Sequence, residues 1–329
     1  MVRASSSART DAIAAPESGP SPRFPRLISI PSIPITSRIA LVMLRQLARL
    51  PLERLHTIGA TCGRLVYRLS GKMRARLQEN VRRAGIIAPG DVRTLQDFSL
   101  NCAGEIGKGA LEILPAWFGR PGDILSRVRV DASWEHVEPL LDIGKGVILL
   151  TPHLGAFEVA GQFIATRIPF TIMYRPPRMK WLRPLFRHGR SQGLAQLTTA
   201  DVRGVRALLR ALRRGEAIGL LPDQVPAQGH GIDAEFFGRP AYTTTLIGRL
   251  QQATGASIIV VRMRRLPDAA GFELSFVPAD TLPTGDAESA RALNLLQEEI
   301  IRTCPEQYLW SYNRYKAPIE ALPMSENRP

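Results

Sequence analysis

The sequence predicts an α/β fold: a mostly parallel sheet flanked by helices, with amphipathic helices in front of it. Two observations carry the sheet. The apolar runs Val147–Leu150, Phe170–Tyr174, Ala217–Leu221 and Ser257–Met263 are short enough for strands, and stretches of helical period such as Val202–Leu212 and Thr243–Thr254 lie between them. Strands that alternate with helices imply crossover connections and parallel pairing. A third observation carries the N-terminal helices. Ile39, Leu41, Val42, Leu44, Leu47 and Leu50 leave Arg45 and Arg49 one turn apart on another face.

Residues 1–35 are rich in Ser, Ala, Pro and Arg without periodicity and read as a disordered tail. Residues 36–120 form a helical region expected to meet a membrane. Its first greasy segment is broken by Pro31, Pro34, Arg38, Arg45 and Arg49, which argues against a spanning helix and resembles one lying in the interface; a helical hairpin packed on the domain with a solvated basic face is the alternative. Pro51 opens a second helix with Leu52, Leu55, Ile58, Cys62, Leu65, Val66 and Leu69 as its apolar face. Residues 121–318 make the α/β domain. Val128 and Val130 mark a short strand, a helix runs through Trp134 to Leu141, Phe272–Val277 closes a sheet edge, and Ala287–Arg302 is the last helix before Pro305. Residues 319–329 are a C-terminal tail.

A formal charge of +14 over 329 residues calls for a polyanionic partner. With only 6% aromatic residues and no zinc-finger or RNA-binding signature, nucleic acid is not expected, which leaves an anionic membrane surface or an acidic protein or lipid. Three scattered cysteines and five scattered histidines show no metal-ligand spacing, so neither metal nor cofactor is expected.

The chemistry-bearing feature is His153. It follows the buried run Val147–Leu150, where functional groups gather at the carboxyl ends of strands. Pro152 stops the strand, Gly155 loosens the turn, and Phe157-Glu158 begins a helix whose positive end favours the Glu158 carboxylate. An imidazole so placed takes a proton from a hydroxyl at neutral pH. Asp223, after Leu220-Leu221-Pro222, is a second carboxylate at the same sheet edge and can orient His153. Spacing leaves open which of the two carboxylates partners the ring. No acidic residue occurs from Arg167 through Ala200, whereas Arg175, Arg178, Lys180, Arg183, Arg187 and Arg190 all fall there. Such a cluster suits phosphate or carboxylate groups beside a cleft.

The blocks His153-Leu154-Gly155-Ala156-Phe157-Glu158, Tyr174-Arg175-Pro176, Arg214-Gly215-Glu216, Pro222-Asp223, Phe236-Phe237-Gly238 and Pro305-Glu306-Gln307-Tyr308-Leu309-Trp310 resemble, in this order, the bacterial late lipid A acyltransferases (lauroyl/myristoyl acyltransferases) of the lysophospholipid acyltransferase superfamily. The resemblance implies a glycerol-3-phosphate acyltransferase-like fold, an acyl carrier protein as acyl donor, a glycolipid acceptor and the cytoplasmic face of the bacterial inner membrane. It makes His153 the general base, Glu158 the acidic member of its motif, Asp223 the downstream carboxylate, and Arg190 or Arg187 the cleft arginine; our own expectation for the reaction is a direct transfer without an acyl-enzyme. An oxyanion would meet Arg190 or a backbone N–H near Gly155, with Arg175 in the same phosphate-binding rim. Phe157, Phe163, Phe236 and Phe237 are candidate walls of an acyl groove. The chain departs from the family pattern at Ala156, often Asn, and at Tyr312-Asn313, often His-Arg.

Two other readings compete. Gly189-Arg190-Ser191-Gln192-Gly193 matches the G-x-S-x-G nucleophile elbow of serine hydrolases, which requires a buried strand before it and a helix after it. A basic membrane-binding protein without activity would explain the charge, but not the gathering of His153, Glu158 and Asp223. His56 reads as a packing or interfacial residue, His136 as a surface residue and His230 as a loop residue, and His188 is open to joining the cleft although no spacing argues it.

Overall fold

The structure, a computed structural model, describes residues 42–177, 179 and 182–318. The expectations for residues 1–41, for Arg178, Lys180 and Trp181, and for the C-terminal tail lie outside them.

After a helical turn at 42–47 come α1 (Leu52–Leu69), α2 (Gly71–Arg83), α3 (Val92–Phe118) and the short α4 (Pro121–Leu125). Pairing of α1 with α3 depends on small residues. A Cβ on Gly107 would lie 1.9 Å from the Gly59 carbonyl oxygen, and one on Gly63 2.0 Å from that of Ala103. The packing face of α1 is therefore Leu52, Leu55, His56, Gly59, Ala60, Gly63 and Tyr67. The expected apolar face splits: Leu52 and Leu55 turn inward, whereas Ile58, Leu65, Val66 and Leu69 stay exposed. No helix among the described residues is long and apolar enough to cross a membrane.

The domain proper follows as β1 (Val128–Val130), a 3₁₀ turn (Ala132–His136), α5 (Val137–Asp142), β2 (Val147–Leu150), α6 (Phe157–Ala165), β3 (Phe170–Tyr174), α7 (Arg183–Arg190), β4 (Ala195–Thr199), α8 (Val202–Arg213) and β5 (Ala217–Leu220). A hairpin of β6 (Gly231–Phe236) and β7 (Arg239–Thr244), then α9 (Leu246–Thr254), β8 (Ser257–Arg265), β9 (Phe272–Ala279) and α10 (Asp286–Arg302) complete it. The seven-stranded sheet has the order β1-β9-β8-β2-β5-β3-β4. Strands β8, β2, β5, β3 and β4 are parallel, and β9 and β1 run against them.

Strand alternation divides the core between the two sheet faces. Val147 and Leu149 point to a cluster with Val159 and Phe163 of α6 and Trp117 of α3. Ile148 and Leu150 point to the other, with Leu208 and Leu212 of α8, Ile247 of α9 and Leu293 of α10. Full burial of each such side chain contributes about 1.5–3 kcal/mol. A third cluster, with Leu77, Val81, Cys102, Leu154, Phe236, Phe237 and Trp310, joins the N-terminal helices to the end of the sheet.

Two expectations need correction, and two elements went unread. Thr243 and Thr244 belong to β7, paired with β6, so the helix starts only at Leu246. Strand β9 is not the edge, because β1 pairs with its outer side. Within the basic stretch, β4 and α7 carry no apolar run and show no signal of their own.

Candidate active site

The sheet places its reactive groups by register. Val147 to Leu150 of β2 pair with Ala217 to Leu220 of β5. From the matched ends, equal steps lead through Pro152 and Pro222 to His153 and Asp223. The connection from β2 leaves to the α6 face and that from β5 to the α9 face. The two strands thus flank a topological switch point, where open α/β sheets form their crevice.

Asp223 is 2% exposed and accepts two hydrogen bonds from His153: one from the backbone N–H at 2.9 Å and one from Nδ1 at 2.7 Å. Burial alone would raise its carboxyl. The His153 charge and these hydrogen bonds outweigh burial and hold it below the usual carboxylate range. In the neutral ring, with Nδ1–H donated to Asp223, Nε2 is the acceptor nitrogen and carries the lone pair. That nitrogen faces outward, 3.0 Å from the side-chain amide nitrogen of exposed Gln224, which donates to it. The Phe157 ring stands edge-on to the imidazole at 5.0 Å.

Glu158 does not partner His153. It accepts from Trp117 Nε1 at 3.3 Å and from Arg190, whose Nε lies 3.1 Å away and whose second nitrogen pairs with the other carboxylate oxygen. The Arg190 guanidinium also lies over the rings of Trp117 and Phe186. Arg187 and Arg175 are exposed and form no ion pair among the described residues. Phe236 and Phe237, 1% and 5% exposed, are core residues packed against Tyr315 and Trp310. Phe163 is likewise buried. Ser191 caps the end of α7, its hydroxyl donating to the Arg187 carbonyl at 2.6 Å, and the strand comes after it, not before. This order is the reverse of a nucleophile elbow. Gly189 is explained by packing: a Cβ there would sit 2.3 Å from the Trp117 indole.

The turn bearing His153 is clamped from behind. Gly155 has φ +59°, and a Cβ on it would meet the Met263 carbonyl oxygen at 1.8 Å. Its N–H donates to the Gln307 carbonyl at 3.0 Å, and Leu309 N–H donates to the His153 carbonyl at 3.1 Å. The Gly155 carbonyl accepts from Arg265 at 2.8 Å. Arg265 also donates to Glu112 at 2.7 Å, and His56 Nε2 donates to the same carboxylate oxygen at 2.7 Å. Burial would raise the Glu112 carboxyl, but Arg265 and His56 bring it down to about 2. Sequence reasoning missed Glu112 and Arg265, which lie in separate segments, gave Gln307 no role beyond its motif block, and took His56 for a packing or interfacial residue. Beside the site, Tyr312, one of the departures from the family pattern, accepts from Val225 N–H at 3.0 Å and ties down the loop after Gln224.

Fold and site together define an α/β protein with a carboxylate-oriented imidazole at the switch point of a parallel sheet. Residues 22–317 match the bacterial lipid A biosynthesis acyltransferase family, and the chain belongs to that family. It is 28% identical to a lipid A biosynthesis lauroyltransferase of Escherichia coli K12 over 66% of this chain and 71% of that protein. A lipid A biosynthesis acyltransferase of Haemophilus influenzae is 31% identical over 54% and 55%. The Escherichia coli K12 palmitoleoyltransferase of the same pathway is 29% identical over 64% and 69%.

Proposed function

We propose that this protein transfers a fatty acyl chain from an acyl carrier protein thioester to a hydroxyl of a lipid A precursor. The observation that carries the reading is the His153–Asp223 pair. One ring nitrogen is fixed by a buried carboxylate at 2.7 Å, and the other meets the side-chain amide of exposed Gln224 at the switch point. In this reading the acceptor hydroxyl takes the place of the Gln224 amide at Nε2. His153 removes the proton as the oxygen attacks the thioester carbonyl and the new C–O bond forms. Asp223 stabilises the imidazolium, as a buried carboxylate does in other histidine-based sites. Collapse of the tetrahedral intermediate breaks the C–S bond, and the imidazolium returns its proton to the leaving thiol. No acyl-enzyme forms.

Glu158 is a positioning residue here. It holds Arg190 against Trp117, and the guanidinium faces the developing oxyanion or an acceptor phosphate. The exposed stripe Ile58, Leu65, Val66 and Leu69, with Val42, Met43 and Leu47, rests the enzyme on the cytoplasmic face of the inner membrane. The test is acyl transfer by purified protein with a lauroyl-loaded acyl carrier protein and a hydroxyl-bearing lipid A precursor. His153→Ala is expected to lose about 10²–10⁴-fold in kcat. Turnover at the wild-type rate would remove the mechanism.

A further inference from the structure

Residues 167–222 hold twelve Lys and Arg against two Asp and Glu, so ten of the fourteen net positive charges of the chain fall in this one stretch. The two acids are already engaged. Asp201 caps α8 through Gly204 N–H at 2.9 Å and binds Thr199, and Glu216 pairs with Arg214. On α8 itself, Arg203, Arg206, Arg210 and Arg213 follow one another at three- and four-residue steps and are all exposed. That spacing makes one stripe along the helix, about 15 Å long. Among the described residues the ion pairs of this stretch are Arg190–Glu158 and Arg214–Glu216, and neither uses the stripe. Arg210 and Arg213 in the last turn gain from the helix dipole, but Arg203 and Arg206 lie toward its positive end, and four like charges on one face repel one another, so helix stability does not account for the stripe as a whole.

The location gives the stripe a direction. Thr199 at the end of β4 is paired with Tyr174 at the end of β3, and both strands run parallel to β5 and β2. The first turn of α8, with Arg203 and Arg206, therefore starts at the sheet edge that bears His153 and Asp223. Strand β4 stands three positions from β2, roughly 15 Å away. Helix α8 packs on the sheet face opposite α3 and α6. The apolar stripe of α1 belongs to the layer built on α3. Of the residues of α8, Val202 at its start is the exposed large hydrophobic one, and Leu208, Ala211 and Leu212 are buried. A helix that enters a bilayer shows apolar residues outward. This one shows guanidinium groups.

We infer that the arginine stripe of α8 is the docking face for the acidic protein that delivers the thioester, which presents its acyl group over the first turn of the helix to the His153 crevice. The inference rests on the acyl-transfer reading above and adds the surface through which the donor is recognised. Charge complementarity of this kind sets association rate and salt dependence more than chemistry.

The experiment compares Arg206→Glu/Arg210→Glu with the wild type using two donors, lauroyl-loaded acyl carrier protein and S-lauroyl-N-acetylcysteamine, a small uncharged thioester. The expected result is a KM for the carrier-bound donor raised tenfold or more, with kcat/KM for the small thioester unchanged. Binding of fluorescently labelled acyl carrier protein, read by anisotropy, should weaken to the same degree and lose its salt dependence. Equal losses with both donors, or undiminished carrier binding, would overturn the inference. So would a variant whose loss is confined to sedimentation with phosphatidylglycerol vesicles, since the stripe would then serve a membrane. Because anisotropy needs no turnover, a wild type that binds the carrier through the stripe yet transfers no acyl group would defeat the acyl-transfer reading and leave the docking face standing.

Discussion

The Gln224 amide sits 3.0 Å from the ring nitrogen that must accept a proton, so in this structure it covers the base. Gln224→Ala should expose that nitrogen. Diethylpyrocarbonate is then expected to modify His153 several-fold faster than in the wild type, measured as absorbance growth at the ring. An unchanged rate would mean that the amide does not shield the imidazole. Gly155 tests the other side of the same turn. With φ +59° and a carbonyl oxygen 1.8 Å from the position of a Cβ, Gly155→Ala combines backbone strain with a clash. We expect a loss of roughly 2–4 kcal/mol in denaturant unfolding. A near-neutral result would show that the turn can shift away from Met263. Part of this was legible in the chain. Pro152 and Gly155 announced a strand end and a turn, but only register put Asp223, and not Glu158, against the ring.

At the scale of elements, α1, α3 and β8 converge on one buried cluster. His56, Glu112 and Arg265, each 5% exposed or less, meet there, and Arg265 passes the constraint to the Gly155 carbonyl. Removing one partner of a buried pair leaves the other charge uncompensated, so Glu112→Gln should destabilise by about 3–5 kcal/mol near neutral pH. The pH dependence follows from the lowered carboxyl. A group whose folded value is depressed contributes stability above its unfolded value and loses it as pH falls through the folded one. For Glu112 the window runs from the ordinary 4.5 down to about 2. The gap in stability between wild type and Glu112→Gln is therefore expected to narrow across that range, followed by urea unfolding at successive pH values. A constant gap would assign the loss to packing instead.

For the molecule as a whole, the two charged and apolar surfaces are divided between opposite layers. The apolar residues Ile58, Leu65, Val66 and Leu69 lie on α1, whereas the arginines of α8 lie beyond the other face of the sheet. Ile58→Asp/Leu65→Asp places two charges on the lipid-facing stripe without touching the α3 contact. Flotation with vesicles of phosphatidylethanolamine and phosphatidylglycerol should fall sharply while the melting temperature stays the same. Retained flotation would move the membrane contact elsewhere on the chain. The apolar pattern of α1 misled in one respect. Its most apolar residues were read as one face, but the helix pairs with α3 through Gly59, Gly63 and Gly107, whose lack of side chains permits the close approach. Small residues carry no hydropathy signal, so a packing face made of them is invisible to periodicity.

What the amino-acid order determined by itself is local: strand and helix propensity, the proline and glycine that end β2 and turn the chain, and an excess of arginine between β3 and β5. These depend on neighbours within a few residues, which a linear reading contains. Tertiary structure alone decided which carboxylate holds His153, what occupies its free nitrogen, and that Phe236 and Phe237 serve the core. Each of those outcomes depends on groups tens to hundreds of residues apart. Asp223 reaches His153 across 70 residues and Arg265 reaches Gly155 across 110, distances that the sheet closes and no spacing rule records.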